Sequence, residues 1–167
     1  MSDIFCEAIV KKKTTANDLL KKGIAIFISV LFILLSIVFI PFFSFIIVVG
    51  VIVIDYFFFK QLNIEFEYAL TMSELDIAKI MSKEKRKHLM TLDLKQADII
   101  GPVGHQKVKD CLSENIKVID CSSREENRNV YAVITKQDGK AIQLLFEPSE
   151  TMIQGIRKQL PSKTILN

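Results

Sequence analysis

Hydrophobic and polar positions change their spacing twice along the chain. From Met1 to Lys22 they are mixed. Ile4, Phe5, Ala8 and Ile9 fall at helical spacing among Asp3, Glu7 and several lysines. This predicts either a short interfacial amphipathic helix or a frayed basic arm. Thr15-Ala16-Asn17-Asp18 has the form of a capping box with Asp in the Glu place, which marks the start of a long helix. From Gly23 to Phe59 the pattern is continuously apolar. These 37 residues contain no Lys, Arg, His or Glu and a single Asp, Asp55. Beyond Lys60 the spacing becomes two, the signature of half-buried strands.

The apolar run is too long for one span. As a single helix it would be about 55 Å long, against a hydrocarbon core of about 30 Å. Pro41 stands at its midpoint, removes a backbone donor and breaks the helix. Two spans follow, 23–40 and 42–59, joined by a tight turn into a helical hairpin. Lys11, Lys12, Lys13, Lys21 and Lys22 precede the first span and Lys60 follows the second, whereas the turn carries no basic residue. The excess of basic residues predicts that both termini are cytoplasmic and that these five lysines touch the membrane surface. A secretory signal is the rival reading. The run is longer than a signal's apolar region, and no small-residue cleavage site follows it. Asp55 lies next to Tyr56 and five residues before Lys60, which places it near the interface rather than at the bilayer centre.

Past the hairpin, residues 63–71 (NIEFEYALT) put Ile64, Phe66 and Tyr68 on one side and Glu65 and Glu67 on the other. Strands are also predicted at 75–81, 88–94, 97–103, 118–121, 130–135 and 140–147, with a short helix or irregular excursion at 105–115. Gln137-Asp138-Gly139 has hairpin-turn chemistry. Pro148, Ser149 and Glu150 open a terminal helix over about 149–160. Its apolar stripe is Met152, Ile153, Ile156 and Leu160, and Pro161 ends it. The tail to Asn167 is polar and expected to be loose. These elements predict an α+β fold, with a transmembrane hairpin followed by a small antiparallel β-barrel or sheet capped by a helix. The domains are an arm at 1–22, the hairpin at 23–59 and a cytoplasmic unit at 60–167.

Strands in this order, plugged by one amphipathic helix, are similar to a pleckstrin-homology-like barrel. The segments NIEFEYALT with SELDIAKI, and LLFEPSETM with IRKQLP, resemble those of a family of small clostridial membrane proteins. Members share a lysine-rich start, a membrane hairpin and a cytoplasmic domain. The resemblance extends over nearly the whole chain and implies that architecture, but no activity.

Charge and chemistry narrow the function. The 108 residues after the hairpin make one domain of modest core, which excludes a multidomain enzyme. Cys6, Cys111 and Cys121 form no C-x-x-C pair, and neither His88 nor His105 has a His or Cys at ligand spacing. Gly101-Pro102-Val103-Gly104 lacks the spacing of a phosphate loop, and Asp93 and Asp98 look like solvated charges. No metal, cofactor or catalytic group is predicted.

The densest feature is Lys83-Glu84-Lys85-Arg86-Lys87-His88. On a hairpin turn beside the bilayer, Lys83, Lys85, Arg86 and Lys87 are candidates for contact with anionic lipid, or they keep a turn soluble. Nucleic acid is disfavoured. From Lys60 onward 17 Lys and Arg face 15 Asp and Glu, and no aromatic is interleaved with the cluster. The expectation is a non-catalytic scaffold or adaptor of the bacterial cytoplasmic membrane, with a protein or lipid partner at the inner face. The alternative is an accessory subunit of a membrane complex or transporter that acts through its hairpin. A homo-oligomer is compatible with either.

Overall fold

A computed structural model describes residues 5–113, 115–126, 128–137 and 139–166. Ile4 of the proposed arm helix, Glu114 and Asp138 lie outside the described residues. In the described part of the arm, the segment expected to be a short helix or frayed is a strand. Phe5–Lys11 forms strand β1, antiparallel to β2 (Ile64–Thr71). The segment FCEAIVK also alternates with period two, and seven partners on β2 give its backbone what an isolated helix of that length could not. Cys6, Ala8 and Val10 pack on the core while Phe5 and Ile9 stay exposed.

Between these paired strands runs the hairpin. Helix α1 (Ala16–Phe39) starts at the predicted capping box: Thr15 caps Asp18 N–H, and Asp18 Oδ2 accepts from Thr15 N–H at 3.1 Å. Helix α2 (Ser44–Gln61) returns beside it after a turn at Pro41. Both helices are long and apolar enough to cross a membrane. At 24 and 18 residues they measure about 36 and about 27 Å.

Strands β1 and β2 continue into β3 (Glu74–Met81) and β4 (Lys85–Asp93), giving one sheet in the order β1-β2-β3-β4. After a 3-10 turn, β5 (Ile99–Pro102), β6 (Lys117–Asp120), β7 (Tyr131–Gln137) and β8 (Lys140–Phe146) form a second sheet in the order β5-β7-β8-β6. Strand β6 runs parallel to β8, so this sheet is mixed, contrary to the expected all-antiparallel set. Among the described residues no strand pairing links the two sheets, so they form an open sandwich and not a closed barrel. Short α3 (Gln106–Asp110) covers Ile99, Ala132 and Ile134 through Val108.

The main core lies between the sheets. Phe66, Tyr68, Leu70, Leu75 and Ile77 meet Ile100, Leu144 and Phe146. Helix α4 (Glu150–Gln159) closes one end with Met152, Ile153 and Ile156. Ser149 is its N-cap, so Pro148 lies just outside the helix and not near its first position, and the Ser149 hydroxyl accepts from Met152 N–H at 3.2 Å. Tyr68 and Phe146 stack edge to face with centroids 5.8 Å apart.

The described part of the tail, 161–166, is docked rather than loose. Ile100 N–H donates to Lys163 O and Ile165 N–H to Ile100 O, both at 2.8 Å. Lys163 Nζ also donates to Ala97 O at 2.8 Å.

A candidate basic site at the hairpin junction

The sheet and the hairpin meet at one end. Strand β1 leads into α1, α2 leads into β2, and Ile64 of β2 is paired with Met81 of β3, which is paired with Lys85 of β4. The β3–β4 turn therefore sits against the end of α2. Ser82 N–H donates to Asn63 O at 2.9 Å, and the Ser82 hydroxyl donates to Lys60 O. Lys60 Nζ pairs with Glu84 Oε2 at 2.5 Å and lies 5.8 Å from the centre of the Tyr56 ring. Ser82 and Lys83 have φ of 54° and 60°. A tight hairpin turn needs this conformation and Asn-Gly usually supplies it, so the Ser-Lys pair is strained. What the turn gains is a hydroxyl that fastens to the helix end and an ammonium at its tip.

Two adjoining clefts, of about 370 and about 360 Å³, flank this contact. Phe57, Met81 and Lys85 line the first; Tyr56, Phe59 and Lys83 line the second. Each joins an aromatic ring to a lysine, Lys85 or Lys83, beside the Lys60–Glu84 pair that borders both, which suits an amphiphile with an anionic head.

The sheet splits the predicted basic cluster. A bulge in β4 shifts the register after Ile77–Met90, so Leu89 is the extra residue. Beyond it Lys79 pairs with Lys87 and Met81 with Lys85. Alternation from the buried Ile77–Met90 pair puts Lys79, Lys85 and Lys87 on the face turned toward the core. Arg86 and His88 fall on the opposite face. There Arg86 Nε is bound by Glu67 Oε2 at 2.9 Å, and His88 Nε2 lies 3.6 Å from Asp76 Oδ1. Lys79 thus shares a face with Lys85 and Lys87, and Arg86 of the predicted group lies on the other. Lys79 was legible as the third member of the Leu75–Ile77 face, but its pairing with Lys87 depends on the bulge, which no periodicity announces.

The amino-terminal lysines reach the same end of the sheet but divide their tasks. Lys11 stands opposite Glu65 in the ladder. Lys12 Nζ is 3.9 Å from Asp18 Oδ2, and Lys13 N–H donates to Ser123 O at 2.7 Å. Lys21 and Lys22 lie on the first turns of α1. Lys21 borders a cleft on the hairpin that also holds Ser29 and Asp55, and the Ser29 hydroxyl donates to Asp55 Oδ1 at 2.9 Å.

Two of the remaining sequence candidates cap local turns. His105 Nδ1 caps α3 by accepting from Lys107 N–H at 3.2 Å. Asp93 caps the 3-10 turn. Cys111 is exposed, Cys6 half-buried and Cys121 buried. Burial pushes the Cys121 thiol up to about 11. Burial alone would raise Asp120 too, but hydrogen bonds from Ser122 and Arg124 outweigh it and hold the carboxyl below its usual range.

One family pattern, described as a bacterial PH-like domain, matches residues 2–166. The chain belongs to this bacterial PH-like domain family (DUF6106). The match takes in the arm, the hairpin and the sandwich together, so the hairpin is part of the family's own unit. No curated protein and no solved structure matches the chain. Within this PH-like chain the junction is where fold and hairpin are fastened to one another, and Lys60, Lys83 and Lys85 line it.

Proposed function

We propose that the chain is a membrane-anchored, non-catalytic adaptor of the bacterial inner membrane. The hairpin spans the bilayer, both termini are cytoplasmic, and the PH-like domain is held flat against the headgroups to receive a protein partner. The observation that carries this reading is the Ser82–Lys60–Asn63 contact. It fixes the β3–β4 turn to the end of α2, so Lys83, Lys85, Lys79 and Lys87 stand where anionic headgroups would lie. Each such lysine contributes about 1 kcal/mol near an anionic surface. Tethering then raises the effective concentration of any partner in the same membrane. The exposed apolar surface of both helices supports the spanning role. Phe27, Phe32, Phe45 and Ile46 are among the large side chains left uncovered, and an apolar surface of that kind marks a membrane or protein contact.

The test is amine footprinting of the full chain in nanodiscs made with and without phosphatidylglycerol. The expected result is that the anionic lipid shields Lys79, Lys83, Lys85 and Lys87 from acylation while Lys136 and Lys158 are unaffected. Equal acylation in both discs would sink the lipid contact. The topology is tested with Cys111, which is exposed. A membrane-impermeant maleimide should reach it in inverted vesicles and not in intact cells.

A second reading, an accessory subunit acting through the hairpin, is favoured by the Ser29–Asp55 bond. It sets a carboxylate beside a cleft of about 450 Å³ on the hairpin's flank, where a donor on a third helix could meet it.

A further inference from the structure

We infer that the open edge of β1, with the groove between it and the start of α4, takes up an extended basic segment of a partner protein close to the membrane. This rests on the adaptor reading above and names the class of partner.

Lys12 N–H donates to Ile64 O at 3.0 Å. In an antiparallel pair, bonded positions alternate, so Val10, Ala8 and Cys6 exchange bonds with Phe66, Tyr68 and Leu70. The N–H and C=O groups of Glu7, Ile9 and Lys11 then point away from β2. The sheet ends at β1, and among the described residues no turn or loop backbone bond engages them.

The two edges of this sheet are treated differently. Strand β4 opens with Lys85-Arg86-Lys87-His88, a charged run of the kind that blunts an edge against pairing. Strand β1 carries two single charges of opposite sign, Glu7 and Lys11, and no such basic run along its middle. Phe5 is 62% exposed and Ile9 61%, on the same face. An edge that keeps Phe5 and Ile9 exposed between single charges, opposite one guarded by a basic run, points to a strand that joins it.

The groove supplies the charge. It measures about 430 Å³ and is bordered by Ala8–Val10, Arg128, Asn129, Glu147, Ser149 and Glu150. Glu147 is only 7% exposed. Its Oε1 accepts from Ser123 N–H at 2.7 Å and from the Ser123 hydroxyl at 2.6 Å, while its buried Oε2 has no partner. Arg128 is already held by Glu125 Oε2 at 2.9 Å. The wall therefore offers two carboxylates, Glu147 and Glu150, against one guanidinium, which Glu125 already shares. A lysine or arginine on the incoming strand matches that wall.

Geometry disfavours a second copy as occupant. Strand β1 runs toward the hairpin, and only Lys12–Thr15 separate it from α1. An antiparallel β1 from another copy would carry its own hairpin at the far end of the sheet, away from the shared membrane. A juxtamembrane segment of a different protein has no such constraint.

The experiment uses the full chain in zwitterionic nanodiscs and a fluorescent nonapeptide in which valines alternate with lysines and threonines. A second peptide carries glutamate for lysine. The lysine peptide should bind saturably, at least about tenfold tighter than the glutamate peptide. Amide exchange at Glu7, Ile9 and Lys11 should slow when it binds. Ile9→Pro removes one outward N–H and no bond to β2, so it should lower affinity about tenfold or more. Glu147→Gln should weaken the lysine peptide and narrow its advantage over the glutamate peptide. Because Ile9→Pro could disturb the fold, unchanged exchange across β2 and β3 is its control, and the wild-type exchange map stands without any variant. No binding, protection on β4 instead of β1, or disulfide-linked dimers of Ile9→Cys would each overturn the inference. The acylation footprint of Lys79, Lys83, Lys85 and Lys87 reads the adaptor's lipid contact separately, so either can fail without the other.

Discussion

Lys79 and Lys87 stand directly opposite one another in the β3–β4 ladder, two like charges on the face that also carries Ile77 and Met90. Such a pair destabilises a sheet by a few tenths to about 1 kcal/mol, and nothing in the core requires it. The arrangement makes sense if an anion is shared between them. Lys87→Glu should therefore raise the stability of the domain in detergent by about 0.5–1 kcal/mol. It should also weaken association with anionic headgroups more than fivefold, since about 1 kcal/mol of attraction is replaced by repulsion. Urea midpoints in neutral detergent and partition between neutral and anionic nanodiscs measure the two effects. Stability and lipid contact moving in the same direction would count against a shared anion.

The β3–β4 turn makes a related trade. Lys83 holds φ at 60°, which costs a residue with a Cβ about 1–2 kcal/mol. Glycine removes that cost but loses about 0.5–1 kcal/mol of chain entropy. Lys83→Gly should leave the domain equally or slightly more stable, by up to about 1 kcal/mol, and reduce lipid contact. Ser82→Ala should do the opposite of stabilising, because it frees the turn from Lys60 O. Acylation of Lys85 in anionic nanodiscs should then rise. Thermal melts and footprinting of the two variants read these results together.

Much of this was legible in the residues. The hairpin, its breaking point at Pro41 and the capping box at Thr15 follow from polarity and helix chemistry that act locally. The faces of β2 and β3 follow from period two. Three features were not legible, each for a physical reason. FCEAIVK satisfies both a helical and a strand spacing, and only its pairing with β2, more than fifty residues away, decides between them. The β4 bulge at Leu89 is set by that strand's fit to its neighbour. Alternation alone separates Lys85 and Lys87 from Arg86, but which of the two sets shares the face of Met90 had no local signal. Tail docking depends on Gly101, where the sequence shows only a breaker. Its missing side chain is what lets Ile165 and Val108 approach.

That approach gives a direct test of the tail. A Cβ on Gly101 would lie 3.1 Å from both Ile165 Cβ and Val108 Cγ2. Both neighbours are packed, so Gly101→Ala should cost about 1–3 kcal/mol. Adding Ile165→Ala relieves only part of the clash, because the Cβ remains. Ile165→Gly should recover more. A loss under 0.5 kcal/mol for Gly101→Ala, roughly the scatter of surface substitutions, would mean that the tail is not held against β5. Chemical denaturation of the three variants in one detergent decides it.

Tyr68 and Cys121 are joined across the sandwich, the phenol donating to the Cys121 carbonyl at 2.5 Å. Both carry acids whose ionisation is resisted by burial: the Tyr68 hydroxyl is pushed well above its ordinary 10, and the Cys121 thiol up to about 11. A raised folded-state pKa in an acid means that the unfolded chain loses its proton first. The stability held by the two protonated groups is thus fully present below about pH 9, where the unfolded thiol begins to ionise. It is lost progressively above that, first through Cys121 between about pH 9 and 11 and then through Tyr68 from about pH 10 upward. Cys121→Ala should flatten the first part of this decline, and Tyr68→Phe the second. Tyr68→Phe should also cost about 1–3 kcal/mol at neutral pH, because the Cys121 carbonyl loses its donor in a buried place. Thiol labelling supplies an independent readout. Cys111 should react at once at pH 8, and Cys121 should react only at the rate of unfolding. Rapid labelling of Cys121 in the folded protein would show that the space between the sheets is open to solvent and that this account of its titration is wrong.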